Sequence, residues 1–514
     1  MNPRRKPLAK LTTRLTLLAL LGSGAFEVPA AQHSRLWGRS GELWSPPSRL
    51  PDFSYAGYRR GEKEIPRRAV DVSVKDFGAR GDGRTDDTAA FQKAIAESAG
   101  KVIFVPRGNY RITDFLTIAA SGTVLRGAGP TRSVFVFPKP LDSVKPNWGA
   151  TTSGKRTSNY SWSGGYVQIV GQSSDRKLAD VSSPAKRGDQ SLAVSDPSKF
   201  QAGEDYELRM SDAGNRSLTK HLYAGDAGPI SNLKNIRESF VFRVSRLDAA
   251  AKRIHFDRPL RTDVRAEWRP HLVATKCSVE ECGIEELGFA FPNTTYQGHF
   301  TELGFNAVDL RDVRHCWVRN IRIHNADSRV FVRGVNNTLT GLHITSARTI
   351  EKSRKATGHH GVTLGGQDNL LTRYRFETRF MHGVTVTRGS AGNVASSGIG
   401  PDLSFDHHRY APHSNLFTDI HLGEGSRMFQ SGGGAKLGHH CAAWATFWGI
   451  RARRPQSWPK GFGPDRMNLV GVQPAGKSDL KPTGRWFEAI DPMKLSPRNL
   501  HQAQLERRLK AMEK

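Results

Sequence analysis

Residues 318–344, VRNIRIHNADSRVFVRGVNNTLTGLHI, contain one six-residue pattern twice, at 318–323 and again at 339–344. In both copies apolar side chains alternate with polar ones, which is typical of β-strands. The offset of 21 residues between the copies is about one turn of a stacked β-solenoid. This stretch therefore predicts a coil in which successive strands lie on top of one another.

Further copies of the unit extend the pattern in both directions. They begin at Ile284, Leu371, Val394 and Phe417, so successive units are offset by 34, 21, 32, 23 and 23 residues. A second pattern, HGVT, occurs at 360–363 and again 22 residues later at 382–385. Offsets near 22 fit one coil per unit, and the longer offsets leave room for loops that project from the coil.

Alternation within the units assigns their side chains to the interior or to the outer face. The apolar positions are expected inside: Ile321, Leu342, Tyr374 and Ile420, with Ile323, Ile344, Phe376 and Leu422. The positions between them are expected outside: Arg322, His343, Arg375, Gly398 and His421, flanked by Asn320, Arg373 and Asp419. Stacked strands lie roughly 4.8 Å apart. We therefore expect a basic column that suits an extended anionic polymer, with a merely solvated face as the alternative.

The histidines of the HGVT pattern have a different expectation. His360 shares parity with Val362 and Leu364, and His382 shares it with two valines. Since apolar positions of one parity face the interior, both histidines are predicted to stack inward as satisfied core residues.

Composition excludes several classes of protein. The chain has 514 residues, a formal charge of +28 and 37% hydrophobic residues, which is enough for a buried core. No apolar run approaches 20 residues, which excludes a multi-span membrane protein. Four cysteines without a CxxC pair exclude a disulfide scaffold and a cysteine zinc site. No nucleic-acid-binding motif is present, so the expected polyanionic partner is not nucleic acid.

Residues 1–31 have the pattern of a secretory signal peptide. Five basic residues precede a short apolar stretch at 15–26, and small residues end the segment at Ala31. We therefore predict a secreted or periplasmic protein with no membrane span after cleavage. The leader holds five of the 76 Lys and Arg residues, so the positive excess belongs to the rest of the chain.

The rest of the chain divides by composition and pattern. Residues 32–68 are predicted to be an extended arm or linker, and residues 69–170 the start of the coil. Residues 171–270 interrupt the pattern with short strand-like runs, which indicate an inserted β subdomain. Residues 271–480 hold the later coils with active-site loops, and residues 481–514 are a tail that contains an amphipathic helix. The pattern indicates no oligomeric state.

Residues 74–129 contain the motifs DFGARGDGRTDDTAAFQKAI, GKVIFVPRGNYRI and LRGAGPT. These motifs resemble the opening of pectate-lyase-superfamily proteins, and the carboxyl-terminal half resembles an uncharacterised branch. The resemblance implies an all-β chain: a single-stranded right-handed parallel β-helix with an N-terminal capping helix, here with an inserted small β subdomain. Lyases, hydrolases and phage tailspikes share this opening, so it implies polysaccharides as ligands but no single chemistry.

Residues 402–427 collect the densest group of titratable side chains, on late coils where loops can hold catalytic groups. A polysaccharide lyase needs a base for the proton α to a uronate carboxylate and a cation that neutralises this carboxylate. We predict His408 or Tyr410 as the base and Arg409 or Arg427 as the cation. The other predicted site residues are Asp406 and Glu424 for catalysis, and Arg322, His343, Arg373, Arg375, His413 and His421 for an acidic polysaccharide substrate.

Two other functions remain open. A glycoside hydrolase would use two carboxylates among Asp402, Asp406, Asp419 and Glu424, although the paired-Asp motifs of polygalacturonase-type hydrolases are absent. A non-catalytic carbohydrate-binding β-helix, or a tailspike-like adhesin, needs no catalytic group.

Cofactors are not expected from the sequence. A metal site can be drawn from Asp406 with His407, His408 and His413, but no tight ligand spacing supports it. Calcium is the alternative, since Asp82, Asp86 and Asp87 lie close together in the opening motif. The expected role of these three acids is to cap the end of the β-helix.

Overall fold

The structure is a computed structural model that describes residues 30–231, 236–275, 277–350, 355–473 and 476–513. The predicted signal peptide, apart from Ala30 and Ala31, lies outside the described residues. Among the described helices, none combines the length and the apolar character that crossing a membrane requires.

The coil begins with a strand, a tight turn and a helix. Ser73 and Asp76 form a reciprocal capping box around the 3₁₀ turn Val74–Phe77, which places the chain for the following strand. Helix α1 (Thr88–Glu97) buries Phe91, whose ring packs edge-on against Tyr110 and Phe135. The first strands are β1 (Val72–Ser73), β2 (Asp82–Asp86), β3 (Val102–Val105), β4 (Gly108–Arg111), β5 (Leu116–Ile118), β6 (Val124–Gly127), β7 (Ser133–Val136), β8 (Trp148–Ala150), β9 (Arg156–Ser158) and β10 (Val167–Val170).

The three acids of the opening motif have hydrogen-bond partners in the protein. Asp82 accepts bonds from the N–H groups of Arg84 and Thr85, which hold the pKa of its carboxyl at about 2. Asp87 accepts hydrogen bonds from the backbone N–H groups of residues 80 and 81, and Asp86 accepts them from the hydroxyls of Thr88 and Thr113. These contacts support the expectation that the acids cap the coil.

Residues 177–274 form an inserted subdomain, here called the insertion. Its six strands are antiparallel, in the order β11-β16-β13-β14-β15-β12, and its own apolar core includes Phe242 and Trp268. Antiparallel strands with one covered face give the polar–apolar alternation that the sequence shows in this segment. The elements are β11 (Lys177–Asp180), β12 (Ser191–Ala193), β13 (Asp205–Ser211), α2 (Ser217–Leu222), β14 (Arg237–Asp248), β15 (Arg253–Phe256) and β16 (His271–Ala274).

The remaining strands return to the coil and stack in parallel. They are β17 (Gly283–Glu285), β18 (Gly288–Ala290), β19 (Asn306–Arg314), β20 (Trp317–His324), β21 (Ser328–Val335), β22 (Thr338–Thr345), β23 (His360–Gln367), β24 (Leu370–Phe376), β25 (His382–Val386), β26 (Val394–Ile399), β27 (Phe405–His407), β28 (Leu416–His421), β29 (Thr446–Arg451), β30 (Asn468–Val472), β31 (Asp479–Leu480) and β32 (Trp486–Glu488). One continuous apolar core fills the interior of the coil. The predicted fold class, a parallel β-helix with a capping helix and an inserted β subdomain, is confirmed.

Two sheets carry the coil. Sheet A contains 17 strands, among them the parallel series β20-β22-β24-β26-β28-β29-β30. Sheet B has seven parallel strands in the order β5-β10-β19-β21-β23-β25-β27. From β19 to β28, strands of one sheet alternate along the chain with strands of the other, so each of these coils contributes to both sheets and the two sheets have separate outer faces.

The register of sheet A corrects one predicted unit by a single residue. Gly398 pairs with Tyr374 and Ile420 and therefore belongs to an inward position, whereas Ile399 pairs with Arg375 and His421. A Cβ on Gly398 would overlap the Tyr374 ring, so the interior requires glycine there. The outward column is thus Arg322, His343, Arg375, Ile399, His421 and Arg451, and Ile399 is 40% exposed.

The slip has a physical cause in the side chains of this unit. Its inward positions hold the small residues Ala395 and Gly398, whereas the apolar Val394 and Ile399 face outward, Val394 beneath the arm. A residue with positive φ recurs in the stacked strands, one above the next, at Asn320, Gly341, Arg373, Ser397, Asp419, Gly449 and Gly471. Because all these strands share this bend, it does not distinguish the Val394 unit from the others.

The predicted arm at 32–68 is irregular, but it is not a free linker. Trp37, Leu50 and Phe53 are buried in a cluster with residues of sheet A. Helix α3 (Leu500–Met512) lies against this segment, and Gln504 Oε1 accepts the N–H of Phe53. Both chain segments thereby cover the same side of the coil.

Candidate active site and groove

A groove lies between the outer face of sheet B and the insertion, with a volume of about 600 Å³. Phe331 and Thr363, in register on β21 and β23, form part of its floor. Arginines dominate the charges on its lining: Arg209, Arg237, Arg314, Arg333 and Arg388, against the acids Glu207 and Asp312. We call this feature the arginine groove.

The arginine groove continues toward the amino-terminal coils. A second cavity of about 520 Å³ shares Asn147, Ser163 and Arg333 with the first and reaches Thr117 on β5. Together the cavities are lined by residues of five strands of sheet B, and four spacings of roughly 4.8 Å add up to about 19 Å. A straight groove of this length suits an extended polymer better than a small molecule.

Asp309 on the floor of the groove was not predicted as a site residue. It pairs in register with Gln168 and Phe331, and it is buried although Arg311 and Arg333 lie 3.6 and 4.0 Å from Oδ2. Burial raises the pKa of Asp309, and the two arginines oppose this effect. The outward alternation of polar residues in Val308-Asp309-Leu310-Arg311 is the signal that could have found it.

Asp406 and His408 lie together at the carboxyl-terminal end of sheet B. His408 Nδ1 donates to Asp406 Oδ2 at 3.0 Å, and Asp406 also accepts the Thr385 hydroxyl and the Gly432 N–H. Asp406 is fully buried, whereas the His408 side chain is 33% exposed. Burial alone would lower the pKa of His408, but the Asp406 carboxylate outweighs burial and raises it.

His408 does not line the arginine groove but lies close to it, because its backbone N–H donates to the carbonyl oxygen of Val386, the residue before the groove residue Thr387. Thr363 and Thr385, which pair in register, connect the groove floor to Asp406 on the next strand. The positive charge of Arg388 in the groove lining opposes the raised pKa of His408. A partly exposed imidazole and an arginine therefore lie at the same end of the groove.

The two histidines of the HGVT pattern pair in register and are buried, with ring centroids 4.9 Å apart. The prediction that their polar atoms are satisfied is wrong for His382, because neither ring nitrogen makes a hydrogen bond to a described residue. Burial lowers the pKa of His382 to about 3, and that of His360 also falls. Both rings belong to a larger histidine cluster beside Asp406.

Arg409, Tyr410 and Arg427 have structural contacts. Arg409 binds the carbonyl oxygens of Gly433 and Gly438, and Tyr410 packs against the core of the insertion. Positive φ angles at 409, 410 and 411 indicate a backbone held under strain in this turn. Arg427 binds the carbonyl oxygens of residues 380, 381 and 402 and is 8% exposed. These contacts place the three side chains in the framework around Asp406.

The remaining predicted carboxylates do not join Asp406. Asp402 binds Ser426 and Arg379, Asp419 binds Arg451, and Glu424 binds Arg454. Each is therefore neutralised by an arginine of its own neighbourhood. The structure brings together no carboxylate pair from this predicted set.

His413 and His407 are corrections to the predicted site. His413 is fully buried, and its Nε2 lies 2.8 Å from Glu238 Oε2 of the insertion, so it joins insertion to coil and is closed to substrate. His407 points into the interior, where its ring contacts Phe417, Phe447 and Phe462. Neither His413 nor His407 therefore lies beside His408, as the metal site drawn from the sequence would require.

The basic column lies on sheet A and not in the arginine groove. Arg375 and His343 share Glu377 as a partner, and Arg373 Nε donates to Thr340. Arg322 and His421 are half-buried in the same column. Substrate binding by these side chains remains a prediction, and it concerns a different face from the groove.

A family model described as "Rhamnogalacturonase A/epimerase, pectate lyase-like" matches residues 71–162. These residues form the capped start of the coil. Over these residues the chain is similar to the pectate-lyase-like superfamily.

Among curated relatives, the pre-neck appendage protein of Bacillus phage B103 is 47% identical over 73 residues, which cover 14% of this chain and 8% of that protein. Alginate lyase 7 of Azotobacter vinelandii is 33% identical over 100 residues, or 18% and 12% of the two chains. The chain spans only 8% of the length of the first three relatives.

Solved structures of similar shape include the tailspike gp49 of Pseudomonas phage LKA1, with a TM-score of 0.44, 12% identity and coverage of 74% of this chain and 63% of that one. The A-module of the Azotobacter vinelandii mannuronan C-5 epimerase AlgE4 has a TM-score of 0.31 at 12% identity, covering 78% and 77%.

Proposed function

We propose that this protein is a polysaccharide lyase that binds an anionic polysaccharide in the arginine groove and cleaves it by β-elimination beside His408. The observation that carries the proposal is the arginine groove itself, near which a partly exposed imidazole lies. The predicted leader would deliver such an enzyme outside the cytoplasm, where anionic polysaccharides of cell surfaces and matrices lie.

The charge of the groove supports an anionic ligand. Five arginines face two acids over its first cavity, and Arg237 and Arg388 make no ion pair with any described residue. Guanidinium groups bind carboxylate and sulfate oxygens through paired hydrogen bonds. Clefts lined by one sign of charge also concentrate ligands of the opposite sign.

The Asp406–His408 pair supports proton abstraction. Because Nδ1 of His408 donates to the Asp406 carboxylate, Nε2 is the nitrogen left to accept a proton. A buried carboxylate fixes the orientation of the imidazole in this way in many acid–base sites. Arg388 is then the groove residue placed to neutralise the uronate carboxylate, which lowers the barrier to removing the adjacent proton.

The names of relatives are compatible with this proposal without deciding it. One is an alginate lyase, several are mannuronan C5-epimerases, and others are phage appendage proteins. Lyase and epimerase chemistry both begin with removal of the proton α to the uronate carboxylate. The proposal of elimination therefore rests on the groove and on His408.

A glycoside hydrolase is the second candidate, and Asp309 is the observation that favours it. A buried carboxyl with a raised pKa suits a general acid, and Asp309 lies within the groove. A second carboxylate would have to act with it, at the separation that such enzymes use. Asp312 also lines the groove and is the first one to test.

A panel of anionic polysaccharides tests the proposal. Elimination leaves an unsaturated uronate that absorbs in the near ultraviolet, so each digest is followed by absorbance and by counting new reducing ends. We expect both signals to rise together on at least one uronate polymer. Reducing ends without absorbance would replace the lyase by the hydrolase, and binding without either product would leave a carbohydrate-binding protein.

A further inference from the structure

Five histidines form a cluster beside Asp406: His299, His359, His360, His382 and His408. The ring centroid of His359 lies 4.1 Å from that of His360, 4.5 Å from that of His299 and 5.3 Å from that of His382. The sequence positions come from three separate coils and one loop. Such a concentration of imidazoles is unusual in a core, because each ring has two nitrogen atoms that need a partner.

Two of these rings lack such partners. His359 is 1% exposed and His382 is 5% exposed, yet neither nitrogen of either ring makes a hydrogen bond to any described residue. Buried polar atoms are nearly always satisfied, and the Nε2 atoms of His359 and His382 have neither a hydrogen bond nor an ion pair to any described residue, which requires an explanation. One nitrogen from each of His299, His359 and His382 lies within 4.8 Å of the other two.

A carboxylate lies close to each of the buried rings of His359 and His382. Glu302 Oε1 lies 3.5 Å from Nδ1 of His359, and Asp406 Oδ2 lies 3.3 Å from Nδ1 of His382. The Tyr296 hydroxyl donates a hydrogen bond to Glu302 Oε1 at 2.6 Å. Metal-binding histidines commonly present one nitrogen to the ion while the other faces a carboxylate, which fixes the ring.

We propose that His299, His359 and His382 bind one divalent transition-metal ion of the zinc class through their imidazole nitrogens. Three imidazoles are the donor set that zinc prefers over calcium or magnesium, which take oxygen ligands. A tetrahedral ion with three protein ligands keeps a fourth position, and the partly exposed His299 places that position toward solvent. The proposal stands independently of the lyase assignment.

A second arrangement of ligands is distinguishable. His382, Asp406 and His408 also offer donor atoms within 4.8 Å of one another. In that set, however, Asp406 and His408 already satisfy each other at 3.0 Å, whereas the nitrogens of His359 have no such partner. The structure therefore favours the set that contains His359.

Metal content tests the site without reference to catalysis. The mature chain is prepared without a histidine tag, stripped with a chelator, incubated with excess zinc and passed through a desalting column. We expect about one zinc per chain by mass spectrometry, and background values for His359→Ala and His382→Ala. The matched control is His255→Ala, which removes a partly exposed histidine of the insertion and should keep the zinc.

Further variants decide between the ligand sets and guard against misfolding. His408→Ala should keep the zinc, and its loss there as in His359→Ala would overturn the assigned ligands. His299→Ala, which removes a partly exposed ring, should lose zinc while its circular dichroism stays that of the wild type. Cobalt gives a second readout, because a tetrahedral site has strong visible absorption that His359→Ala should abolish. Wild-type protein that retains no zinc and shows no such cobalt spectrum would refute the site.

Discussion

Asp368 joins the insertion to the coil, and its replacement by Asn tests whether this junction stabilises the groove. Asp368 accepts Arg258 Nη1 at 2.8 Å and Arg261 Nη2 at 2.7 Å, and all three side chains are at most 5% exposed. Arg258 and Arg261 belong to the insertion, which forms one wall of the groove. The substitution would leave two buried guanidinium groups without their counter-charge.

The expected loss in the free energy of unfolding of Asp368→Asn is large. Breaking a buried ion pair by removing one partner costs about 3–5 kcal/mol, because the remaining charge is left desolvated. Denaturant unfolding followed by circular dichroism measures the loss, and Asp465→Asn is the matched control. Asp465 also binds an arginine, Arg485, but both side chains are about half exposed, so the expected cost is below about 1 kcal/mol.

The same residue predicts a pH dependence. Burial alone would raise the pKa of Asp368, but Arg258 and Arg261 outweigh it and lower the pKa below its ordinary value of 3.8. A lowered folded pKa means that the stabilisation is present above pH 3.8 and is lost as pH falls toward the folded value. Wild-type stability should therefore fall in this acidic window more steeply than that of Asp368→Asn. Equal costs for Asp368→Asn and Asp465→Asn would refute the reasoning.

Two further predictions concern the interior and the groove. Gly398→Ala should destabilise the coil by about 1–3 kcal/mol in denaturant unfolding, because its Cβ would overlap the Tyr374 ring. Gly484→Ala at the surface should lower the free energy of unfolding far less. Equal losses for the two variants would contradict the corrected register. Arg333→Ala should weaken binding of an anionic polysaccharide and reduce its salt dependence, measured by titration at several salt concentrations. Arg375→Ala on sheet A should have a smaller effect, and the reverse order would move the binding face to the basic column.

The coil was predictable from the sequence because its repeat is local. Offsets near 22 residues and alternation within each unit gave the stacking and most of the inward positions, such as Ile321 and Leu342. The unit at Val394 was misplaced by one residue because its inward positions hold the small residues Ala395 and Gly398, while the apolar Val394 and Ile399 face outward. Val394 is apolar because the arm covers it, and such a tertiary contact has no local pattern.

The site was predictable only in part. Asp406 lies on β27 and His408 directly follows that strand, two residues later, so their shared face follows from alternation. His299 and His359 reach the same place from separate segments, and no short spacing signals their proximity. His413 looked accessible because its partner, Glu238, comes from the insertion 175 residues earlier. Contacts between insertion and coil are tertiary and have no local pattern.

The rate of unsaturated-uronate formation in the His408→Ala variant tests the central claim most directly. The near-ultraviolet absorbance is followed on the best polymer of the panel, with His255→Ala as the control and zinc content checked in each preparation. The account predicts a loss of about 10²–10⁴-fold for His408→Ala, because the proton-accepting imidazole is removed, and an unchanged rate for the control. A His408→Ala enzyme that forms the product at the wild-type rate would contradict it.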